Sequence, residues 1–138
     1  MANEHFISAA RKHFNDANIL HGDARHDNCA YLSGYVVECA LKGMIETSGA
    51  FNPRSFGHDV SSLSTRATLL AAVLSQSRVH IQVPASQDYY DLLANWKPEE
   101  RYLPEHAIPP ATSSSRLAAA NEAIQTIIIP LILNGAKL

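Results

Sequence analysis

Apolar and polar positions along this chain alternate mostly with the period of an α-helix. The first helix is predicted from Asn3 to about His21, because apolar and small residues recur there at spacings of three and four. Gly22 ends it, and a second helix begins near Ala24 or Arg25 and ends at a cap glycine, Gly49. Since the break between them is short, we expect these two helices to form an αα-hairpin.

Within the second helix, the segment from Cys29 to Glu46 is apolar or small over more than half of its circumference. A helix that is apolar on so many sides must be enclosed by several others. Four polar side chains interrupt the apolar surface: Tyr31, Tyr35, Glu38 and Lys42. Glu38 and Lys42 have the favourable i, i+4 order, so we expect a salt bridge with a tyrosine at the edge of the core. The alternative is a polar pocket that receives Arg101.

The following segments predict two more helices. Asp59 is a candidate N-cap for a third helix that extends through Val73, and Ser86 is a candidate N-cap for a fourth that ends near Trp96. Between them, Val79 to Val83 alternates like a strand, but no partner strand is predicted, so we expect an extended link.

Prolines organise the C-terminal third of the chain. Pro98, followed by two glutamates, predicts a short helical turn. The last helix is predicted to start within Thr112–Ser115, and Pro130 should kink it or end it early. These elements predict one all-α domain over residues 1–138, an antiparallel four-helix up-and-down bundle with one or two extra short helices.

Composition narrows the classes of partner. The chain has 138 residues, of which 46% are hydrophobic and 17% charged, and its formal net charge is −2 at pH 7. This charge argues against a broad nucleic-acid-binding surface, which needs concentrated Lys and Arg, but it leaves room for a small local phosphate site.

The cysteines and the apolar runs indicate the compartment. If Cys29 and Cys39 share one helix, they lie about 15 Å apart along its axis, too far for a disulfide, so we expect buried free thiols in a reducing compartment. The N-terminus lacks a signal-peptide pattern, and the apolar run from Ile124 to Leu133 is too short to span a bilayer. We therefore expect a cytoplasmic protein with no membrane association.

Three motifs together resemble a known family. The second helix contains Ala-Tyr-Leu-x-Gly-Tyr and Glu-Cys-Ala-Leu-Lys between Ala30 and Lys42, and Gly-His-Asp follows at 57–59. Trp-x-Pro-Glu-x-Arg-Tyr, from Trp96 to Tyr102, precedes the final helix. From about Phe6 to Ile132 the chain resembles the HEPN domain (higher eukaryotes and prokaryotes nucleotide-binding).

The resemblance implies a fold, partners and a site. HEPN domains are helical bundles that commonly dimerise, and many are metal-independent ribonucleases, often toxins neutralised by a small nucleotidyltransferase partner. Active members carry an arginine followed a few residues later by a histidine, which Arg101 and His106 match here. Arg101 is therefore the candidate phosphate ligand, and His106 the candidate acid/base for a ribose 2′-hydroxyl. No metal or cofactor is expected.

Each candidate also has a purely structural interpretation. Arg101 can pair with a neighbouring glutamate, Glu99, Glu100 or Glu105, and leave His106 as a loop histidine. The residues assigned to nucleotide or RNA binding are Tyr35, Glu38, Lys42, His58 and Asp59. In the structural alternative Asp59 caps a helix, and His58, after a turn at Gly57, bonds to the backbone.

Three functional hypotheses follow from these residues. The first is a metal-independent endoribonuclease of the toxin type that uses Arg101 and His106. The second is a non-catalytic HEPN module that binds RNA or nucleotide and partners a nucleotidyltransferase. The third is a purely structural homodimer.

Overall fold

The computed structural model describes residues 5–49, 52–75 and 81–135. In these ranges every regular element is helical, so the expected all-α class is confirmed. They contain five helices: α1 (Phe6–Gly22), α2 (His26–Ser48), α3 (Val60–Ser75), α4 (Gln87–Asn95) and α5 (Pro110–Leu133). Two short 3₁₀ helices, Pro53–Phe56 and Pro98–Tyr102, precede α3 and α5. The predicted helix start at Asn3 and the first residues of the Val79–Val83 link lie outside the described ranges.

Helix α2 lies at the centre of the domain. It packs most extensively against α1, and also against α5 and α3. From Cys29 to Ile45 its side chains are buried, apart from those of Tyr31, Leu32 and Tyr35. The prediction that several helices enclose α2 is confirmed, and both cysteines are buried and form no disulfide with the described residues. The other helices contribute these residues to the same core: Ile7, Ala10, Leu63, Ala67, Leu92, Ile127 and Leu131.

Local sequence signals set several helix ends. Gly49 follows α2 with a φ of 71°, in the left-handed region that favours glycine. The Asp59 carboxylate accepts a hydrogen bond from the Ser62 backbone N–H at 3.1 Å, which confirms the predicted cap of α3. The Ser86 hydroxyl accepts one from the Tyr89 N–H at 3.1 Å and caps α4.

Two helices start close to, but not at, their predicted positions. Helix α2 begins at His26, because Ala24 has a φ of 58° and belongs to the turn rather than to the helix. Helix α5 begins at Pro110 rather than within Thr112–Ser115. Proline suits the first position of a helix, where a backbone N–H has no intrahelical acceptor, so Pro110 can start the helix.

Pro130 does not end the last helix, which continues to Leu133 through a π-helical turn at Ile124–Ile128. Proline has no N–H to bond the carbonyl four residues earlier, that of Thr126. Instead this carbonyl accepts a hydrogen bond from the Gln82 backbone N–H at 3.4 Å. The π turn and the link before α4 together accommodate the proline.

By length and composition, Pro110–Leu133 is the one helix of the described residues that is apolar enough to cross a membrane. It packs on α2 and buries Ala120, Ile127 and Leu131 in the shared core. It also carries a buried arginine, Arg116, in an ion pair. These are the contacts of a core helix.

Candidate functional site

A buried carboxylate lies among the polar residues of α2. Glu38 is 3% exposed, and its two oxygens have different partners. Oε2 accepts a hydrogen bond from Lys42 Nζ at 3.4 Å, and Oε1 lies 2.8 Å from His58 Nδ1. The ion pair between Glu38 and Lys42 was predicted, but it is buried rather than at the edge of the core. Two partners compensate for the lost hydration of the carboxylate.

His58 differs from its structural prediction. Among the described residues its imidazole reaches back to the Glu38 carboxylate rather than to a backbone group, and its side chain is 51% exposed. The turn at Gly57, where φ is 55°, places it there. Asp59, the next residue, faces the start of α3 as the cap and takes no part in these contacts.

The ring of Tyr35 packs edge to face with three other aromatic side chains. Its centroid lies 5.1 Å from that of Tyr31, 5.8 Å from that of His58 and 5.0 Å from that of Trp96, all edge to face. Its hydroxyl accepts a hydrogen bond from the Tyr31 hydroxyl at 3.2 Å. Burial raises the pKa of Tyr35 well above its ordinary value, so the phenol stays protonated. We call this group the Glu38 cluster: Tyr31, Tyr35, Glu38, Lys42, His58 and Trp96.

Trp96 anchors the cluster from outside α2. It is 3% exposed, and its indole Nε1 donates a hydrogen bond to the Tyr31 carbonyl at 3.0 Å. Gly34 makes this approach feasible, because a Cβ there would lie 2.0 Å from Trp96 Cε2. Trp96 is therefore an anchor of the hydrophobic core.

Arg101 lies at the rim of the Glu38 cluster. It is exposed, and its guanidinium carbon lies 4.7 Å from the centroid of the Tyr102 ring. Interaction with Tyr102 and then with Tyr31 raises the pKa of Arg101, which is fully charged at any relevant pH. Its positive charge also acts on Tyr35, opposing the rise in the pKa of that phenol. The 3₁₀ helix therefore brings Arg101 beside both tyrosines of α2.

Of the three glutamates considered as partners of Arg101, Glu100 is bound by another arginine. Glu100 forms an ion pair with Arg116, a buried arginine of α5. Within the described part of the chain, the ion pairs do not include Arg101. By occupying Glu100, Arg116 fixes the 3₁₀ helix to α5 and leaves the guanidinium of Arg101 available.

His13 joins the site from α1, which sequence reasoning missed. Its ring centroid lies 6.0 Å from that of Tyr35. Burial, followed by the charge of Lys12, lowers the pKa of His13, while the charges of Asp16 and Glu38 oppose that shift. The sequence could have indicated this position, because His13 lies on the apolar face of α1, which packs against α2.

His106 lies in a different cleft. Its backbone N–H donates to Asp27 Oδ2 at 2.6 Å, and the Ile108 N–H donates to Asp27 Oδ1 at 2.9 Å. The φ of His106 is 63°, in a region that residues other than glycine rarely adopt. Together with His26 and Glu105 it lines a cleft of ≈ 250 Å³. The two backbone hydrogen bonds, Ile108 first, lower the pKa of Asp27.

The two members of the Arg-x4-His motif thus approach neighbouring turns of α2. Arg101 lies near Tyr31, whereas the backbone of His106 is bound to Asp27, four residues earlier. Four residues correspond to about 6 Å along the helix axis. The structure brings both residues to the N-terminal half of α2 but gives them different neighbours.

The described residues contain no group of three or more His, Cys, Asp or Glu side chains arranged to hold a metal ion. Comparison of the chain with protein-family models, with curated proteins and with solved structures found no match.

Proposed function

We propose that this protein is a HEPN-like, cytoplasmic, homodimeric RNA- or nucleotide-binding protein with an antiparallel four-helix up-and-down bundle and short extra helices. Sequence motifs and an all-helical fold support the family. The observation that carries the function is Arg101, an exposed guanidinium that forms no ion pair with the described residues, beside three tyrosines.

The chemistry of this rim suits a phosphate group. A guanidinium can bind two phosphate oxygens at once, and such charge-assisted hydrogen bonds are roughly twice as strong as neutral ones. The phenol of Tyr35 is protonated and its oxygen already accepts from Tyr31, so its own proton can be donated. A single site of this kind is compatible with a net charge of −2.

In the catalytic form of the proposal the protein is a metal-independent endoribonuclease of the toxin type. Arg101 holds the phosphate, and an imidazole takes the proton of the ribose 2′-hydroxyl. In the family pattern that imidazole belongs to His106, and two chains in a dimer bring the two motifs into one cleft.

The second candidate is a non-catalytic binding module that partners a small nucleotidyltransferase. The observation that favours it is the separation of the motif, because His106 lies beside Asp27 and Arg101 lies beside the tyrosines. In that case the Glu38 cluster and Arg101 bind nucleotide or RNA without cleaving it.

Incubation with RNA in the presence of EDTA separates the two candidates. The wild type is compared with the Arg101→Ala and His106→Ala variants and with Arg11→Ala, a control that removes an exposed arginine from α1. Cleavage by the wild type and by the control, but not by Arg101→Ala, supports the enzyme. Binding without cleavage supports the module, and an absence of both refutes the proposal.

A further inference from the structure

His58 is held in one orientation by a buried carboxylate. Its Nδ1 lies 2.8 Å from Glu38 Oε1, and the second oxygen of Glu38 is bound by Lys42. Since a carboxylate only accepts, the neutral imidazole carries its proton on Nδ1 and leaves Nε2 as the acceptor. This side chain is 51% exposed, and no hydrogen bond from the described residues reaches Nε2.

His58 and Arg101 approach the same pair of tyrosines. The imidazole packs against the ring of Tyr35, whose hydroxyl is bonded to Tyr31. Arg101 interacts with both of these tyrosines. Within one chain, Tyr35 is therefore a common neighbour of His58 and Arg101, whereas the backbone of His106 is bound to Asp27.

We infer that His58, positioned by Glu38, is the proton acceptor of the site in which Arg101 holds the phosphate, and that the substrate is an RNA phosphodiester with a free 2′-hydroxyl. A carboxylate that fixes the tautomer of a histidine is a recurrent means of making its other nitrogen a base. The inference rests on the catalytic form of the proposed function and assigns its base to a residue outside the Arg-x4-His motif.

In the net reaction the proton of the 2′-hydroxyl reaches O5′ through His58 and water, and the bond from phosphorus to O5′ is replaced by one to O2′. His58 Nε2 takes the proton of the 2′-hydroxyl as O2′ forms a bond to phosphorus. The bond from phosphorus to O5′ breaks with its electron pair on O5′, which takes a proton from water, and the imidazolium returns its proton to the resulting hydroxide. The products are a 2′,3′-cyclic phosphate and a 5′-hydroxyl.

The role of Glu38 has a signature that does not depend on RNA. Nitrogen-15 NMR of the histidine side chains reports which ring nitrogen carries the proton. His58 of the wild type is expected to show the Nδ1–H form, and Glu38→Gln should lose that preference. The charged and titratable groups near this pair are Lys42, Tyr35, His13 and Arg101, all of which Glu38→Gln retains.

The deciding experiment measures binding and cleavage separately. A fluorescent single-stranded RNA and its 2′-deoxy analogue are incubated in EDTA with the wild type, His58→Ala, His58→Gln, Glu38→Gln and His106→Ala. His58→Ala and His58→Gln are expected to lower the cleavage rate by about 100-fold or more while changing the Kd by less than about three-fold. Circular dichroism confirms that each variant is folded, and the deoxy analogue should bind and stay intact.

Each outcome decides the assignment. Loss of cleavage in both His58 variants, with the wild-type rate in Arg11→Ala, a control that removes an exposed arginine of α1, supports it. Loss in His106→Ala with retention in the His58 variants overturns it and leaves the proposed enzyme standing. A wild type that binds RNA without cleaving it also overturns it, but leaves the proposed binding module. A wild-type His58 with its proton on Nε2 refutes the role of Glu38 whatever the RNA result.

Discussion

Replacing Gly34 by alanine adds one methyl group at the most crowded point of the site. An ideal Cβ there would lie 2.0 Å, 2.1 Å and 2.2 Å from Cε2, Nε1 and Cδ2 of the Trp96 indole. Carbon atoms in contact are normally about 3.5 to 4.0 Å apart, so the indole must move by about 1.5 Å or more. Trp96 is buried and hydrogen-bonded to the Tyr31 carbonyl, so it has no open space to enter.

The free energy of unfolding should fall by about 0.5 to 4 kcal/mol, with a central value of about 2 kcal/mol. Overpacking of a core costs about 1 to 3 kcal/mol, and loss of the hydrogen bond from Trp96 to Tyr31 costs about 0.5 to 1.5 kcal/mol. Alanine in place of glycine inside a helix returns roughly 0.5 to 1 kcal/mol. Because Tyr35 packs on the same indole, the contacts that place Tyr35 beside His58 should also be disturbed.

Urea unfolding followed by circular dichroism measures this change, with Gly43→Ala as the matched control. Gly43 lies in the interior of the same helix, and its nearest contact would be Ile7 Cγ1 at 3.1 Å, the flexible part of a side chain. The control should stay within about 1 kcal/mol of the wild type. Equal stabilities of the two variants would refute the packing account, as would a full effect of Gly34→Ala in a Trp96→Ala background.

Three other perturbations test the surroundings of the site. Asp27→Ala should speed hydrogen exchange of the two loop amides that the Asp27 carboxylate binds. Because those bonds lower the pKa of Asp27, their stabilising contribution is present above the ordinary carboxyl pKa and is lost as the pH falls through the lowered value. Unchanged exchange of these amides, both in the variant and in acid, would contradict this. Glu38→Ala leaves Lys42 buried without its carboxylate and should lower the free energy of unfolding in urea by about 3 kcal/mol. Lys42→Met should lower it by a smaller amount, because His58 remains a partner of Glu38. A larger loss in Lys42→Met than in Glu38→Ala would refute this. Tyr89→Phe should lower the unfolding free energy by about 1 kcal/mol, because it removes a buried 2.7 Å hydrogen bond to the Ser64 hydroxyl, and no change would show that bond to be neutral.

The elements of this fold that were predictable depend on interactions within one helical turn. Asp59, Ser86 and Gly49 act through groups one to three positions away, so their residue types alone indicate a cap. The spacing of Glu38 and Lys42 likewise predicts their contact, because residues four apart are neighbours on any helix.

What could not be predicted depends on how separate segments cross. His58 lies 20 positions from Glu38, and Glu100 lies 16 from Arg116, so no local pattern joins them. The burial of His13 depends in the same way on the packing of α1 against α2. Ile19 of α1 is apolar but 64% exposed, and its residue type alone does not indicate that.

Pro110 and Pro130 show a different difficulty. Proline signals a break in a helix, but the missing N–H is harmless at a first turn and can be compensated when another group takes the free carbonyl. Gln82 provides that group for Thr126, from a segment more than forty residues away in sequence. The position of a proline in the sequence therefore does not show whether a helix starts there, as at Pro110, or continues past it, as at Pro130.

The salt dependence of RNA binding tests the central proposal most directly. Fluorescence anisotropy titrations of a single-stranded RNA at several salt concentrations are compared for the wild type, Arg101→Ala, Arg101→Lys and Arg11→Ala. The account predicts that Arg101→Ala weakens binding by about ten-fold or more and reduces the slope of log K against log salt by about one. Arg101→Lys should keep the slope but lose part of the affinity, and Arg11→Ala should change neither. A wild type that does not bind RNA, or equal losses in the Arg101→Ala and Arg11→Ala variants, would contradict a phosphate site at Arg101.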